Sequence, residues 1–284
     1  MLYKEYSPDD YLSHHVESFW EIVNNVGLTE SESFIIPPEM NFEIIIVNQP
    51  ILLKFIKSNE WYKLNKGIYF IGLITQGLIY NIRFGNKIFG IRLKPFSLSN
   101  VIKFPLCRLN NRIISIQNIF DINKEDFSII GMTTSSKESN KINLVTNFIS
   151  RLIETNHNID QTLRAQLNYI KNQRGNIKIS SICEDFYVSK VTLRHNFLNN
   201  VGLTAKEVSR IWRFNHFLTL INKNPLSNLT QLSLEAGYYD QSHFIREFHS
   251  FVGISPGKFF KNNYYIDISQ ERIDRRFNSY YAPS

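Results

Sequence analysis

The sequence predicts an α+β multidomain chain: a β-rich, barrel- or sandwich-like amino-terminal domain with packed helices, then an all-α domain in which a long linker helix joins two helix-turn-helix units. Three observations predict it. Residues 1–132 carry short apolar or β-branched runs broken by turn residues, the apolar residues beyond 142 switch to helical spacing, and the last third repeats itself at an offset of roughly fifty residues. The boundaries are 1–132 for the β-rich domain, 133–158 for a linker with an amphipathic helix, 159–265 for the helical domain and 266–284 for a polar tail.

In the first domain, residues 42–47, 51–56 and 69–73 have strand composition, with Asn48-Gln49-Pro50 separating the first two. Tyr80, Ile82 and Phe84 alternate with Asn81 and Arg83, Gly85-Asn86 supplies a two-residue turn, and Phe89, Ile91 and Leu93 return on one face, so 78–93 is predicted as a hairpin. A short helix is predicted over 96–104, stopped by Pro105. A β-barrel mouth suits a small ligand; Trp20, Trp61, Arg83 and Arg92 are the residues to hold one, against the plainer reading of rim aromatics and solvated or ion-paired arginines. His14-His15 invites a metal, but adjacent strand residues face opposite ways and no further ligand stands at a suitable spacing. They read as surface histidines, and neither a metal nor a cofactor is expected.

Residues 133–141, TTSSKESNK, lack an apolar period and mark a linker. Ile142, Val145, Ile149, Leu152 and Ile153 then trace a helical stripe with Phe148 beside it. Leu163, Leu167 and Ile170 open the helical domain on a helix that ends near Gly175; a second helix is read over 179–186, and Ser189 caps a third over 190–199. Val208, Ile211, Trp212, Phe214, Leu218 and Ile221 keep helical spacing through 205–222, one long connector.

The stretch 232–256, LSLEAGYYDQSHFIREFHSFVGISP, carries the most chemistry. Leu232, Leu234 and Ala236 give a short apolar face, Gly237 breaks it, and Phe244, Phe248 and Phe251 recur at i, i+4, i+7 in a second helix that Asp240 is placed to cap. The outward positions hold Gln241, Ser242, His243 and Arg246, a polar, non-acidic tip of the kind that addresses base edges in a major groove. Aligning Phe197 with Phe248 sets Ser189 on Asp240, Leu193 on Phe244 and 201–204 on 252–255, so the unit is duplicated. A rigid spacer between the copies lets their two tips enter successive major grooves, about 34 Å apart on one duplex face, without dimerisation.

These residues resemble the second helix-turn-helix of AraC-type transcription regulators: Ala236-Gly237-Tyr238, Asp240-Gln241-Ser242-His243-Phe244, Arg246, Phe248 and Gly253-Ile254-Ser255-Pro256. The resemblance implies a sequence-specific regulator with double-stranded DNA and RNA polymerase as partners. In the first unit it implies that Val191, Arg194 and His195 face DNA, backed by Leu193 and Phe197. Such regulators commonly have glycine in the first turn, where Tyr187 stands, so that turn is expected to be reshaped. The helix after the linker often mediates dimer contacts in such regulators; a homodimer through Val145, Ile149 and Leu152 is one expectation, packing on the chain's own β-rich domain the other. The first domain resembles the sensor-like domain of one AraC subgroup through Ser18-Phe19-Trp20, Ile35-Ile36-Pro37-Pro38, Phe70-Ile71-Gly72 and Gly90-Ile91-Arg92-Leu93-Lys94-Pro95-Phe96, and departs from it at Pro38-Glu39-Met40. That likeness implies control by an effector or by dimerisation.

Charge agrees with a polyanionic partner. The net charge is +7, and residues 175–264 hold ten Lys and Arg against six Asp and Glu, so under a third of the chain holds over half of the excess. Lys190, Lys206, Arg210, Lys258 and Lys261 are the candidates for phosphate contact, each also readable as a solvated charge. Cys107 and Cys183 are isolated and lack zinc spacing; they read as buried fillers and do not supply the cysteine cluster of alkyl-transfer DNA-repair enzymes that carry a similar module. No enzyme activity is expected. Neither a leader peptide nor a run of about eighteen apolar residues is read, so the expectation is a cytoplasmic chain without a membrane partner. A regulator without any effector, set by abundance or by a protein partner, is the alternative reading.

Overall fold

A computed structural model describes residues 2–24, 32–122, 128–129, 138–153, 160–224 and 227–261. The polar tail at 266–284 and most of the expected linker lie outside these residues. Among the described residues, ten antiparallel strands form two sheets. Strands β1 (Leu2–Tyr6), β2 (Val16–Val23), β4 (Phe42–Val47), β7 (Gly67–Ile71), β9 (Lys87–Leu93) and β10 (Ile113–Ser115) make the larger, in the order β1-β2-β9-β4-β7-β10. Strands β3 (Glu32–Ile36), β5 (Ile51–Phe55), β6 (Tyr62–Leu64) and β8 (Leu78–Ile82) make the smaller, in the order β3-β8-β5-β6. The sheets stay open and pack face to face, a sandwich and not a closed barrel.

The near-continuous apolar run of β4 follows from its place in the larger sheet. Ile45 and Val47 point into the core between the sheets, with Trp20, Ile88, Tyr80 and Leu53, while Phe42, Ile44 and Ile46 point the other way into a second core shared with the helices. Both faces of β4 are therefore dry, and the sequence has no reason to alternate. On β9 the same division puts Phe89, Ile91 and Leu93 on the helical side and Ile88 between the sheets.

The predicted hairpin over 78–93 does not form. Strand β8 pairs with β3 and β5, whereas β9 pairs with β2 and β4, so residues 83–86 cross from one sheet to the other. Gly85 does adopt φ +80°, but the turn bonds outward: Gly85 N–H donates to Asn24 O, Asn24 N–H to Asn86 O, and the Asn86 amide to Pro50 O. The predicted helix at 96–104 is a succession of turns instead. Ser97 Oγ donates to His15 O and Ser99 Oγ to Phe96 O, serine bonds that compete with a helical ladder. His14 is exposed as expected, but His15 is buried; His14 ends a 3₁₀ turn that His15 caps, so neither lies in a strand. The two cysteines are half-buried, not fully enclosed.

Eight helices are described: α1 (Glu138–Ile153), α2 (Gln161–Asn172), α3 (Ile179–Asp185), α4 (Lys190–Asn200), α5 (Ala205–Lys223), α6 (Leu229–Glu235), α7 (Gln241–Val252) and α8 (Pro256–Lys261). Of the two expectations for α1, its packing on its own chain is the one seen. Val145 and Ile149 are 0% and 1% exposed in the shared core, Leu152 is half-buried against it, and Lys141 Nζ meets Glu21 Oε1 on β2 at 2.8 Å. Two of the three side chains assigned to a dimer seam are thus already covered by their own chain.

Helix α5 is the spine of the helical domain. Thr204 and Glu207 close a capping box at its start, and Phe214 and Phe217 pack against Phe244, Phe248 and Phe251 of α7. On its other side Gly175, at φ +73°, lets the end of α2 approach so closely that a Cβ there would lie 2.0 Å from Ser209 O.

Candidate nucleic-acid interface

Two short helices start in matching ways. Ser189 Oγ accepts from Thr192 N–H at 3.0 Å ahead of α4, and the Asp240 carboxylate accepts from His243 N–H at 2.6 Å ahead of α7. Each cap satisfies donors that the first turn leaves without a helical partner, so the start of each helix is fixed by a side chain placed at the repeat spacing. Leu193 and Phe197 on α4, and Phe244, Phe248 and Phe251 on α7, turn into the core. What remains outward on α4 is Lys190, Val191, Thr192, Arg194 and His195; on α7 it is Gln241, Ser242, Ile245, Arg246 and His249.

The other end of each helix is held by the β sandwich. Beyond α4, Gly202 O accepts from the Asn110 side-chain amide at 2.6 Å. At the end of α7, Phe251 O accepts from Gly77 N–H at 2.5 Å, and Gly253, at φ +77°, lies so close to Ile56 that a Cβ would come within 2.7 Å of it. Gly202 and Gly253 are the same position of the repeat. Both helices therefore dock by their carboxyl ends, and their amino-terminal tips stay exposed.

The turns ahead of the tips correct one expectation. Tyr187 has φ +51°, yet Tyr187 N–H donates to Glu184 O and Val188 N–H to Cys183 O, the same bonds that Gly237 and Tyr238 make to Leu234 O and Ser233 O. The first turn keeps its shape and holds a tyrosine in the left-handed region, at a cost of about 1–2 kcal/mol relative to an unstrained residue. Its side chain is 97% exposed.

Two other assignments change. His243 is half-buried, its ring edge-on to Tyr238 with centroids 5.5 Å apart and its Nε2 3.9 Å from Glu247 Oε2, so it faces inward as much as toward a groove. Arg210 is not a spare cation: its Nε meets Glu247 Oε2 at 2.8 Å, while Arg213 reaches Glu247 Oε1 at 3.1 Å and stacks over Tyr238. Glu247, 5% exposed, is the acid that clamps α7 to α5; burial and then Glu247 push the Tyr238 hydroxyl well above its ordinary pKa, so it stays protonated. Lys190, Lys206, Lys258 and Lys261 are exposed.

The four effector candidates of the first domain do not assemble. Trp20 is 3% exposed and lies flat on Gly90, Trp61 sits outside with Lys54 Nζ 5.6 Å above its ring, and Arg83 is exposed in the crossing between sheets. Arg92 is fully buried, with Glu5, Glu39 and Glu43 at 2.9, 3.6 and 3.2 Å. Burial opposes its charge, but Tyr3 and the three carboxylates outweigh it and hold the guanidinium above its usual pKa. A narrow cleft is lined by Glu39, Glu43, Tyr80, Gly72 and Leu78, residues that the sequence did not mark as a group. Burial, then Glu43, keeps the Tyr80 hydroxyl protonated there.

Residues 182–262 match a family described as a helix-turn-helix domain, and residues 4–115 match a domain of unknown function, DUF6597. No curated protein matches the chain by sequence. Among solved structures, ToxT from Vibrio cholerae is similar at 13% identity, 86% of this chain, 98% of that chain and a TM-score of 0.53. A single-substitution apo form of ToxT from V. cholerae strain SCE256 gives 12%, 86%, 97% and 0.51. ToxT of V. cholerae O395 bound to a naphthalenyl-butenoic acid gives 12%, 85%, 98% and 0.50. At such identities these likenesses speak for the fold, a sheet domain followed by two helical units. The chain is thus a sheet domain of the kind seen in ToxT followed by a helix-turn-helix domain that holds both capped helices.

Proposed function

We propose that the chain reads two adjacent major-groove segments as a monomer, with α4 and α7 as its recognition helices and RNA polymerase as the partner that converts binding into transcription control. The observation that carries this reading is the pair of capped, outward tips joined by one helix, α5, of 19 residues. Such a helix is roughly 28 Å long, near the spacing of successive grooves. Gln241 and Arg246, with Arg194 in the first unit, supply the bidentate and charged groups for base edges, while Lys190, Lys206, Lys258 and Lys261 meet phosphates. Selection of duplexes by the full chain from a randomised pool tests it. The reading requires a two-part motif with centres about 10–10.5 base pairs apart; one short motif, or none, contradicts it.

The same reading makes the sandwich the controlling half. A ligand in the cleft would touch residues next to both docking points of the helical domain: Gly72 lies against Leu109, beside the Asn110 that holds Gly202, and Leu78 follows the Gly77 that holds Phe251. One ToxT structure holds a carboxylic acid. Here the polar wall is Glu39 and Glu43, which share the one guanidinium of Arg92 with Glu5, so the wall keeps an excess of negative charge that disfavours an anion and suits a small neutral or cationic hydrogen-bond donor. Melting the chain with amines, guanidines and fatty acids in parallel separates these classes, since a specific ligand raises the midpoint by mass action. A rise with fatty acids alone contradicts the assignment.

A further inference from the structure

The two most exposed large apolar side chains among the described residues are Tyr187, at 97%, and Tyr239, at 88%. Both stand in the turns that lead into the recognition helices. Tyr187 lies three residues before the first residue of α4 and Tyr239 two before that of α7. The turns reach this arrangement by different routes. In the second unit Gly237 takes the left-handed position and an additional residue, Tyr239, carries the ring outward; in the first unit no residue is added and the tyrosine itself occupies the left-handed position, at φ +51°. Glycine would make the first turn without strain, and nothing packs on Tyr187 to reward the ring. An exposed ring held in a strained turn, reproduced in the sister unit by other means, calls for something outside the chain.

The surroundings identify it. Lys190, Val191 and Arg194 are exposed on the first two turns of α4, and Gln241 and Arg246 on α7. We propose that Tyr187 and Tyr239 are paired DNA-backbone contacts, each donating its phenolic O–H to a phosphate at the edge of the groove that the following helix enters. Phosphate contacts of this kind fix register and carry no sequence preference. The inference rests on the DNA reading above, and the two fail differently: a wild-type chain that enriches no sequence from the pool overturns the reading itself.

The test measures melting and binding together, on the selected duplex and on a scrambled one. Tyr187→Gly relieves the turn, so its melting midpoint rises by about 2–4 °C, while affinity falls on the order of tenfold on both duplexes, the loss of a hydrogen bond to a charged group. Tyr187→Phe and Tyr239→Phe keep the ring, should melt like wild type, and weaken binding on both duplexes by a similar factor. A glycine variant that melts higher and binds as tightly as wild type overturns the proposal, because the ring is then only tolerated. A loss with glycine but none with either phenylalanine overturns the phosphate assignment and leaves ring packing in its place. A loss confined to the selected duplex overturns it in favour of base contact.

Discussion

Arg246 and Lys206 are both exposed cations of the helical domain, yet their positions give them different work. Arg246 stands on the outward face of α7 with Gln241, where a guanidinium can bridge two acceptors of one guanine. Arg246→Ala should lose about 1–3 kcal/mol of discrimination at one base pair, read as affinity for matched and singly mismatched duplexes. Lys206 lies in the first turn of the connector α5, so Lys206→Ala should weaken all duplexes alike and lower the slope of log affinity against log salt by about one. Equal losses on every duplex for the arginine change would remove it from base readout. Glu247 is a different case, since its two arginines lose their shared carboxylate while staying beside the core. Glu247→Ala should cost about 3 kcal/mol, at the low end for a buried pair because Arg210 keeps some access to water. Denaturant unfolding measures it.

At the scale of elements, α5 carries the acid sensitivity of the domain. His216 is buried on it; burial first, then Arg174 and Lys223, lowers its pKa from 6.5 to about 4. The unfolded chain therefore binds more protons between those values, so the stability present above pH 6.5 is lost as pH falls toward 4, by at most about 3 kcal/mol. His216→Gln, neutral throughout, should show a smaller drop in melting midpoint between pH 7 and pH 5 than wild type does. The helices were legible because their signals are local: apolar spacing, a Ser or Asp cap, a glycine after the last turn. The hairpin over 78–93 is not legible for the opposite reason: Gly85-Asn86 does make a local turn bond, Asn86 N–H to Arg83 O, but further bonds to Asn24 and Pro50, which no short window contains, tie it to other segments while its two strands pair in different sheets. At the interface, Gln241, Ser242 and Arg246 could be read as outward from spacing, whereas His243 turns partly inward to Tyr238 and Glu247. The Glu247 clamp and the Glu39, Glu43 and Tyr80 cleft could not, because residues brought together from separate elements leave no period.

At the scale of the molecule, the sandwich touches both helical units at one repeat position, Gly202 and Gly253, and leaves both tips outward. Asn110→Ala removes one of these holds without disturbing the tips. It should leave the melting midpoint of the helical domain nearly unchanged while altering the spacing that the chain prefers between half-motifs, read by selection from the same pool. Reading of DNA by a single chain requires the two tips to lie along one face of one duplex. Hydroxyl-radical footprinting of the full-length monomer on its selected duplex measures that directly. The predicted result is two protected segments on the same face, centred about one helical turn apart; a single protected segment, or two that appear only when the chain dimerises, would contradict it.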